Sequence, residues 1–177
     1  MEHRCIFAGF GGQGIISMGT LVAYAGMTAG KQSTFFPEYG IAMRGGTANC
    51  TVIVSDSEIA SPIVSDPTVL VVMNELSLTH FQSRLVPGGM LFINSSLVTV
   101  PPNRSDVKVF HVKATGLAID AGDSRMANMA MLGGVIKGTG MLTLDVMYKA
   151  MEKSFPPKLR PLLDKNKKVM EAGFNSI

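Results

Sequence analysis

The chain of 177 residues has the length of one domain, residues 1–177, and is too short for a cofactor domain plus a separate substrate domain. Its 46% hydrophobic and 16% charged residues exclude a disordered chain. The net charge of +3 comes from a basic, helical C-terminal segment at about 149–177, which contains seven basic and three acidic residues. No basic stripe with interleaved aromatic residues is present, so we expect no nucleic-acid partner.

The chain opens with the pattern of a strand, a glycine turn and a helix. The apolar segment HRCIFAGF (3–10) has strand length, and GIISMGTLVAYAGMTAG (14–30) carries apolar residues at helical spacing. The stretch from Cys5 to Gly30 is free of charge, but it contains seven glycines, four of them between Gly9 and Gly14. These glycines would disrupt a membrane-spanning helix, so we expect neither export nor membrane insertion.

Further along the chain, strands alternate with helices. QSTFF (32–36) is interpreted as a second strand, PEYGIAMRGG (37–46) as an ordered loop, and TANCTVIVSD (47–56) as a strand. TVLVVMN (68–74), ELSLTHFQSRL (75–85) and MLFIN (90–94) form a β-α-β unit. DVKVFHV (106–112) adds a strand, and three helices follow, with Ser124 and Thr143 as expected N-caps. This order predicts an α/β fold, an open and mostly parallel sheet with helices on both faces and a Rossmann-like glycine turn after the first strand.

The first candidate site is GFGGQG, which satisfies the spacing G-x-G-x-x-G. Glycines at such a turn tolerate positive φ and let a phosphate approach the backbone, so the candidate residues are Gly9, Gly11, Gly12, Gln13 and Gly14. A classical NAD site also needs an acidic residue at the end of the second strand, and residues 32–36 contain none. We therefore favour an anion or cofactor edge over a dinucleotide site. The alternative is that these glycines only shape a tight turn.

The second candidate site is the loop PEYGIAMRGG. It combines Glu38, Tyr39 and Arg44 with Gly45 and Gly46, side chains that can accept a proton, stack on a ring and bind an anion. Because Glu38 follows a proline, we expect it in the loop and not at a strand end. The alternative is an Arg–Glu pair that braces a long turn.

Other reactive side chains are sparse. Cys5 and Cys50 are the only cysteines, so the chain alone can form neither a disulfide framework nor an iron–sulfur or structural zinc site, and a reducing cytoplasm is the expected location. The segment Asn94–Ser96 follows a strand end, where it can bind a ligand or cap a turn. No residue is identified as catalytic. The histidines are too widely spaced to predict a metal site: His3, His80 and His111.

Several of these segments together resemble a known family. They are GFGGQGI, PEYGIAMRGGTANCTVIVSD, IASPIVSDP and NSSL, followed by KATGLA and RMANMAMLGG. In this order they closely resemble the gamma subunit of the 2-oxoacid:ferredoxin oxidoreductases, and the likeness extends from Ile6 to about Gly173.

The resemblance implies a subunit of an oxygen-sensitive enzyme of anaerobic metabolism. Such an enzyme cleaves a 2-oxoacid with thiamine diphosphate, transfers electrons through iron–sulfur clusters to ferredoxin and delivers the acyl group to coenzyme A (CoA). The chain lacks the G-D-G…N pattern of a thiamine diphosphate and magnesium site, so these cofactors are expected in the alpha, beta and delta subunits. By resemblance, the glycine turn and the loop 37–46 border the CoA cleft.

The substrate expected from the resemblance is 2-oxoglutarate, with pyruvate, branched-chain 2-oxoacids and arylpyruvates as alternatives. Two different functions also remain open. One is a self-sufficient nucleotide-dependent oxidoreductase, which the glycine turn would serve, and the other is a non-catalytic scaffold.

Overall fold

The computed structural model describes residues 1–39 and 46–177, and within these ranges the chain forms a six-stranded sheet. The strands are β1 (Glu2–Phe10), β2 (Gln32–Tyr39), β3 (Thr47–Ser55), β4 (Val69–Val72), β5 (Met90–Asn94) and β6 (Lys108–Val112). Their order across the sheet is β2-β3-β1-β4-β5-β6. Strands β1, β4, β5 and β6 pair in parallel, whereas β3 is antiparallel to both β1 and β2. The prediction of an open, mostly parallel α/β sheet is confirmed.

Helices lie on both faces of this sheet. They are α1 (Ile15–Thr28), α2 (Glu75–Phe81), α3 (Ala114–Asp120), α4 (Ala127–Thr139), α5 (Leu144–Ser154) and α6 (Leu163–Phe174). Strand β1 supplies Cys5 and Phe7 to the core under α1 and α4, and Ile6 and Ala8 to the core under α2. This alternation follows from the two-residue period of a strand. None of the helices in the described parts of the chain has the length and apolar character needed to cross a bilayer.

Helices α4 and α6 pack with their backbones in contact. A Cβ atom on Gly133 would collide with the carbonyl oxygen of Met170, and one on Gly173 would collide with the carbonyl oxygen of Ala130. Both glycines lie inside helices and neither has a positive φ. Their function here is to leave room, because the obstructing atoms belong to the backbone and cannot rotate away.

The structure differs from the sequence predictions at three places. Strand β2 continues through Pro37, Glu38 and Tyr39, so the expectation that these residues belong to a loop is wrong. Proline is tolerated there because β2 is an edge strand with only one neighbour. Helix α3 was not predicted, and its seven residues are too few to show a clear helical period.

The third difference concerns a helix cap. Asp123, and not Ser124, accepts the capping hydrogen bond from the backbone N–H of Arg125 at 3.0 Å, because a 3-10 turn (Ser124–Met126) precedes α4. The predicted cap at Thr143 is confirmed, since its Oγ1 accepts from the N–H of Val146. In the basic C-terminal segment, a 3-10 turn at Pro157–Leu162 separates α5 from α6.

Candidate functional site

The candidate site lies at the edge of the sheet where the parallel strands end. Strand β1 continues into α1 on one face, whereas β4 continues into α2 on the opposite face. Where neighbouring parallel strands send their helices to opposite faces, a crevice opens between their carboxyl ends. Such a crevice is the usual place for a ligand in an open α/β sheet.

The glycine turn connects β1 to α1 at this edge. Gly12 and Gly14 have φ angles of +99° and +73°, which lie in the left-handed region that side chains rarely adopt. A side chain at Gly14 would also collide with the amide group of Asn128. At Gly9, an added Cβ would lie 2.6 Å from Oε1 of Gln13. The glycines at these three positions are therefore required by backbone conformation or by close packing.

The side chain of Gln13 makes three hydrogen bonds at the turn. Its Oε1 accepts hydrogen bonds from the backbone N–H of Phe10 at 2.7 Å and from Nδ2 of Asn74 at 3.2 Å. Its Nε2 donates to the carbonyl oxygen of Met73 at 3.2 Å. The side chain thus joins the end of β1 to the end of β4 across the crevice.

The two candidate segments meet at this edge. The backbone N–H of Gly11 donates to the carbonyl oxygen of Gly46 at 2.9 Å. Glu38 and Tyr39 lie at the end of β2, paired with Asn49 and Ala48, and the Glu38 side chain is exposed. Candidate residues Arg44 and Gly45 lie outside the described residues.

Two cavities flank the start of α4. One, of about 240 Å³, lies between Gly12, Gln13, Leu97, Thr115 and Arg125. The other, of about 250 Å³, lies between Ser17 at the start of α1, Asn128 and Met129 of α4, and Asn166 of α6. Arg125 lines both cavities, so it separates them at the rim.

An ion pair lies at the rim of these cavities. The guanidinium group of Arg125 contacts the Asp123 carboxylate through two hydrogen bonds, of 2.9 and 2.7 Å. These bonds, together with the nearby charge of Lys165, lower the pKa of Asp123 to about 2. Asp123 is therefore ionised at neutral pH, and its charge offsets that of Arg125.

Asn128 is the polar side chain that the sequence interpretation missed. It is 7% exposed, its Oδ1 accepts from the N–H of Met129 at 2.9 Å, and its amide group lies against Gly14 at the start of α1. Among the described residues, Nδ2 has no hydrogen-bond partner and helix α1 has no side-chain cap. The sequence signal that could have identified Asn128 is its position as a polar residue in the otherwise apolar segment ANMAMLGGVI (127–136).

This arrangement is suited to bind an anionic group. The first turn of a helix presents N–H groups that are not used inside the helix, together with the positive end of the helix dipole. Asn128 adds a buried amide at the same end of α1, and Arg125 adds a cation. Phosphate or carboxylate oxygens would satisfy these donors.

Two residues of the segment Asn94–Ser96 have structural contacts, whereas the Oγ of Ser95 is buried without a hydrogen-bond partner among the described residues. Asn94 is buried and its Nδ2 donates to Oγ1 of Thr115 at 2.9 Å, and Ser96 accepts from the N–H of Gly116 at 3.0 Å. These hydrogen bonds hold the start of α3, which agrees with the alternative that the segment caps a turn. Within residues 1–39 and 46–177, no three His, Cys, Asp or Glu side chains come together as metal ligands.

Comparison with known proteins gives a consistent picture. The family model described as pyruvate ferredoxin/flavodoxin oxidoreductase matches residues 4–176. The ketoisovalerate oxidoreductase subunit VorA of Methanothermobacter thermautotrophicus is 36% identical, and the match covers 97% of this chain but 36% of VorA. This chain therefore spans about a third of the length of that relative. The 2-oxoglutarate synthase subunit KorC of the same organism is 32% identical, with 94% of this chain and 90% of KorC covered.

Solved structures have the same fold. The gamma subunit of a keto/oxoacid ferredoxin oxidoreductase from Geobacter sulfurreducens superimposes with a TM-score of 0.87 at 26% identity, covering 99% of this chain and 95% of the other. The 2-oxoglutarate:ferredoxin oxidoreductase of Magnetococcus marinus, solved with 2-oxoglutarate, coenzyme A and succinyl-CoA bound, gives a TM-score of 0.89 at 20% identity, covering 98% of this chain and 30% of the other. At that identity the second likeness shows the fold alone.

Proposed function

The chain belongs to the pyruvate ferredoxin/flavodoxin oxidoreductase family, and from this premise we propose that it is the gamma subunit of a CoA-acylating 2-oxoacid:ferredoxin oxidoreductase. The complex would oxidatively decarboxylate a 2-oxoacid to an acyl-CoA and reduce ferredoxin. The proposal is supported by relatives such as KorC, which this chain matches over nearly the full length of both.

Thiamine diphosphate, Mg²⁺ and the iron–sulfur clusters are assigned to the alpha, beta and delta type subunits. The residues of this chain do not suit a cluster, because burial raises the pKa of both Cys5 and Cys50 to about 12. Thiols with such pKa values stay protonated at neutral pH, whereas iron binds thiolates.

The contribution proposed for this chain is one wall of the CoA cleft. The observation that carries it is the buried Asn128 amide beside the uncapped start of α1, with Arg125 at the rim. CoA carries phosphate groups, which are the ligands that such donors bind. Glu38, Tyr39 and Gly46 are proposed to border the same cleft, because the backbone of Gly46 contacts the glycine turn. Arg44 and Gly45 are proposed for the cleft from the sequence alone.

The proposed 2-oxoacid is 2-oxoglutarate. Its support is the match to KorC along 90% of that subunit, whereas the match to VorA covers 36% of VorA. A branched-chain 2-oxoacid is the second candidate, because the identity to VorA is higher, at 36% against 32%.

The proposal is tested by isolating the native complex through a tag on this chain. Its companion chains are identified by mass spectrometry, and 2-oxoglutarate, pyruvate, 3-methyl-2-oxobutanoate and an arylpyruvate are assayed with CoA and ferredoxin. We expect thiamine and iron–sulfur subunits and the highest kcat/KM with 2-oxoglutarate. A chain recovered alone, or an isolated chain that binds NAD(P) or FAD with turnover, would contradict the proposal.

A scaffold function predicts a different result. In that case, substitutions in the cleft would change the yield of complex and leave the KM for CoA of the assembled enzyme unchanged.

A further inference from the structure

Asn74 uses both ends of its side-chain amide to connect two elements. It is 6% exposed and lies between β4 and α2. Its Oδ1 caps α2 by accepting from the N–H of Ser77 at 2.8 Å, and its Nδ2 donates to Oε1 of Gln13 at 3.2 Å. A single residue therefore joins the start of α2 to the glycine turn.

Gln13 completes a closed set of contacts at the same place. Its Oε1 receives the N–H of Phe10 as well as Asn74, and its Nε2 donates to the carbonyl oxygen of Met73. Only an amide supplies an acceptor and a donor at each of these two positions. A carboxylate at either position keeps the acceptor and loses the donor.

Both side chains are held by hydrogen bonds within the protein. The three hydrogen bonds of Gln13 use its acceptor and one of its two donor hydrogens on β1, β4 and Asn74. The donor assigned to the ligand in the proposed cleft is Asn128, which lines a cavity and whose Nδ2 has no hydrogen-bond partner in the part of the chain that the structure describes. The positions of Gly12 and Gly14 relative to Asn128 consequently depend on how firmly the turn is held.

We propose that Asn74 and Gln13 are a positioning pair, which holds the glycine turn in the conformation that presents the start of α1 to the CoA phosphate groups. This inference rests on the proposed function of the cleft. It assigns Gln13 a role through the turn, without direct contact to CoA.

The test uses Asn74→Asp in the assembled complex. This change keeps the α2 cap and replaces the donor to Gln13 with a carboxylate oxygen, so two acceptors face each other. Loss of this bond and the resulting repulsion are expected to raise the KM for CoA about tenfold and to speed amide hydrogen exchange in the turn, residues 11–17, about tenfold. The kcat at saturating CoA and the rate of amide hydrogen exchange in β5 should each change by less than about twofold, which is roughly the error of these measurements.

Gln13→Glu is the second variant, because it keeps the contacts to Phe10 and Asn74 and removes the donor to Met73. Like Asn74→Asp, it should raise the KM for CoA. Glu75→Gln is the matched control, since Glu75 is half-buried at the start of the same helix and contacts Thr99, away from the turn. It should leave both measurements unchanged.

Two results would overturn the positioning role. One is unchanged hydrogen exchange in the turn of Asn74→Asp, and the other is faster exchange with an unchanged KM for CoA. A wild-type complex that shows no CoA-dependent turnover would instead contradict the proposed function, while the exchange measurement would still report whether the pair holds the turn.

Discussion

Glycines perform different physical functions in two regions of this molecule. Between α4 and α6, Gly133 and Gly173 have ordinary helical conformations and leave space for a neighbouring backbone. In the glycine turn, Gly12 and Gly14 have positive φ, and Gly12 has open space where a side chain would lie. The sequence cannot separate the two cases, because the obstacle at Gly173 is Ala130, which lies 43 residues earlier in the chain. Gly133 and Gly173 are required for packing, Gly12 is required for conformation, and Gly14 is required for both.

The largest effect should come from Gly173→Ala, which tests the packing function. The added methyl group meets the backbone of Ala130, so α6 must move away from α4. We expect a loss of about 3 kcal/mol in the free energy of unfolding, at the upper end of measured overpacking costs. Chemical denaturation followed by circular dichroism measures it.

Gly116→Ala is the matched control for this prediction. The nearest atom to its added Cβ would be Ser96 Oγ at 3.6 Å, an ordinary contact. Because alanine has the higher helix propensity, this variant should be as stable as the wild type or more stable. Equal losses in the two variants would remove the distinction between packing glycines and others.

The conformational function is tested by comparing Gly14→Ala with Gly12→Ala. Both changes place a side chain at positive φ, which costs about 1 kcal/mol. Gly14→Ala also displaces the Asn128 amide, so its total loss should reach about 2 kcal/mol. Thermal unfolding of the two variants gives the difference, and a larger loss in Gly12→Ala would contradict the geometry of the turn.

Asn128→Ala tests whether the side chain beside the glycine turn contributes to CoA binding. Removing the buried amide should raise the KM for CoA about tenfold in the assembled complex, because one hydrogen bond to a phosphate group is lost. Asn103→Ala is the control, since it removes an exposed amide from a loop that does not line either cavity. An unchanged KM in Asn128→Ala would remove this residue from the cleft.

The smallest effect concerns the ion pair at the cavity rim. The pKa of Asp123 is lowered from 3.8 to about 2, first by the side-chain hydrogen bond from Arg125. A lowered pKa stabilises the folded state above pH 3.8, and this contribution is lost as the pH falls toward 2. The Tm difference between the wild type and Asp123→Asn should thus be present at pH 6 and vanish near pH 2. Added salt should reduce it at pH 6, because the Arg125 side chain is exposed to solvent.

The sequence was informative where the structure depends on local patterns. Apolar runs and their periods predicted β1, α1 and the β-α-β unit, and the cap at Thr143 followed from residue type. Strand β2 is longer than predicted because an edge strand accepts Pro37. That β2 lies at the edge depends on the strand order, which the local sequence does not contain.

The candidate site was predictable only in part. The two segments were identified from glycine spacing and charged residues, but their contact through Gly11 and Gly46 depends on β3 running antiparallel to β1. Asn128 is 114 positions from Gly14 in the sequence, and its approach to the turn is produced by helix packing. The hydrogen bonds that occupy Gln13 likewise come from residues near position 74.

The antiparallel course of β3 has a consequence for how this fold can diversify. Strands β2 and β3 form a hairpin with an eight-pair register from Gln32–Ser55 to Tyr39–Ala48, which fixes both ends of the connection at the cleft. Closing a longer flexible loop costs only about 0.6 kcal/mol for each doubling of its length. Insertions between Tyr39 and Gly46 can therefore change the length of this connection while the sheet keeps its register.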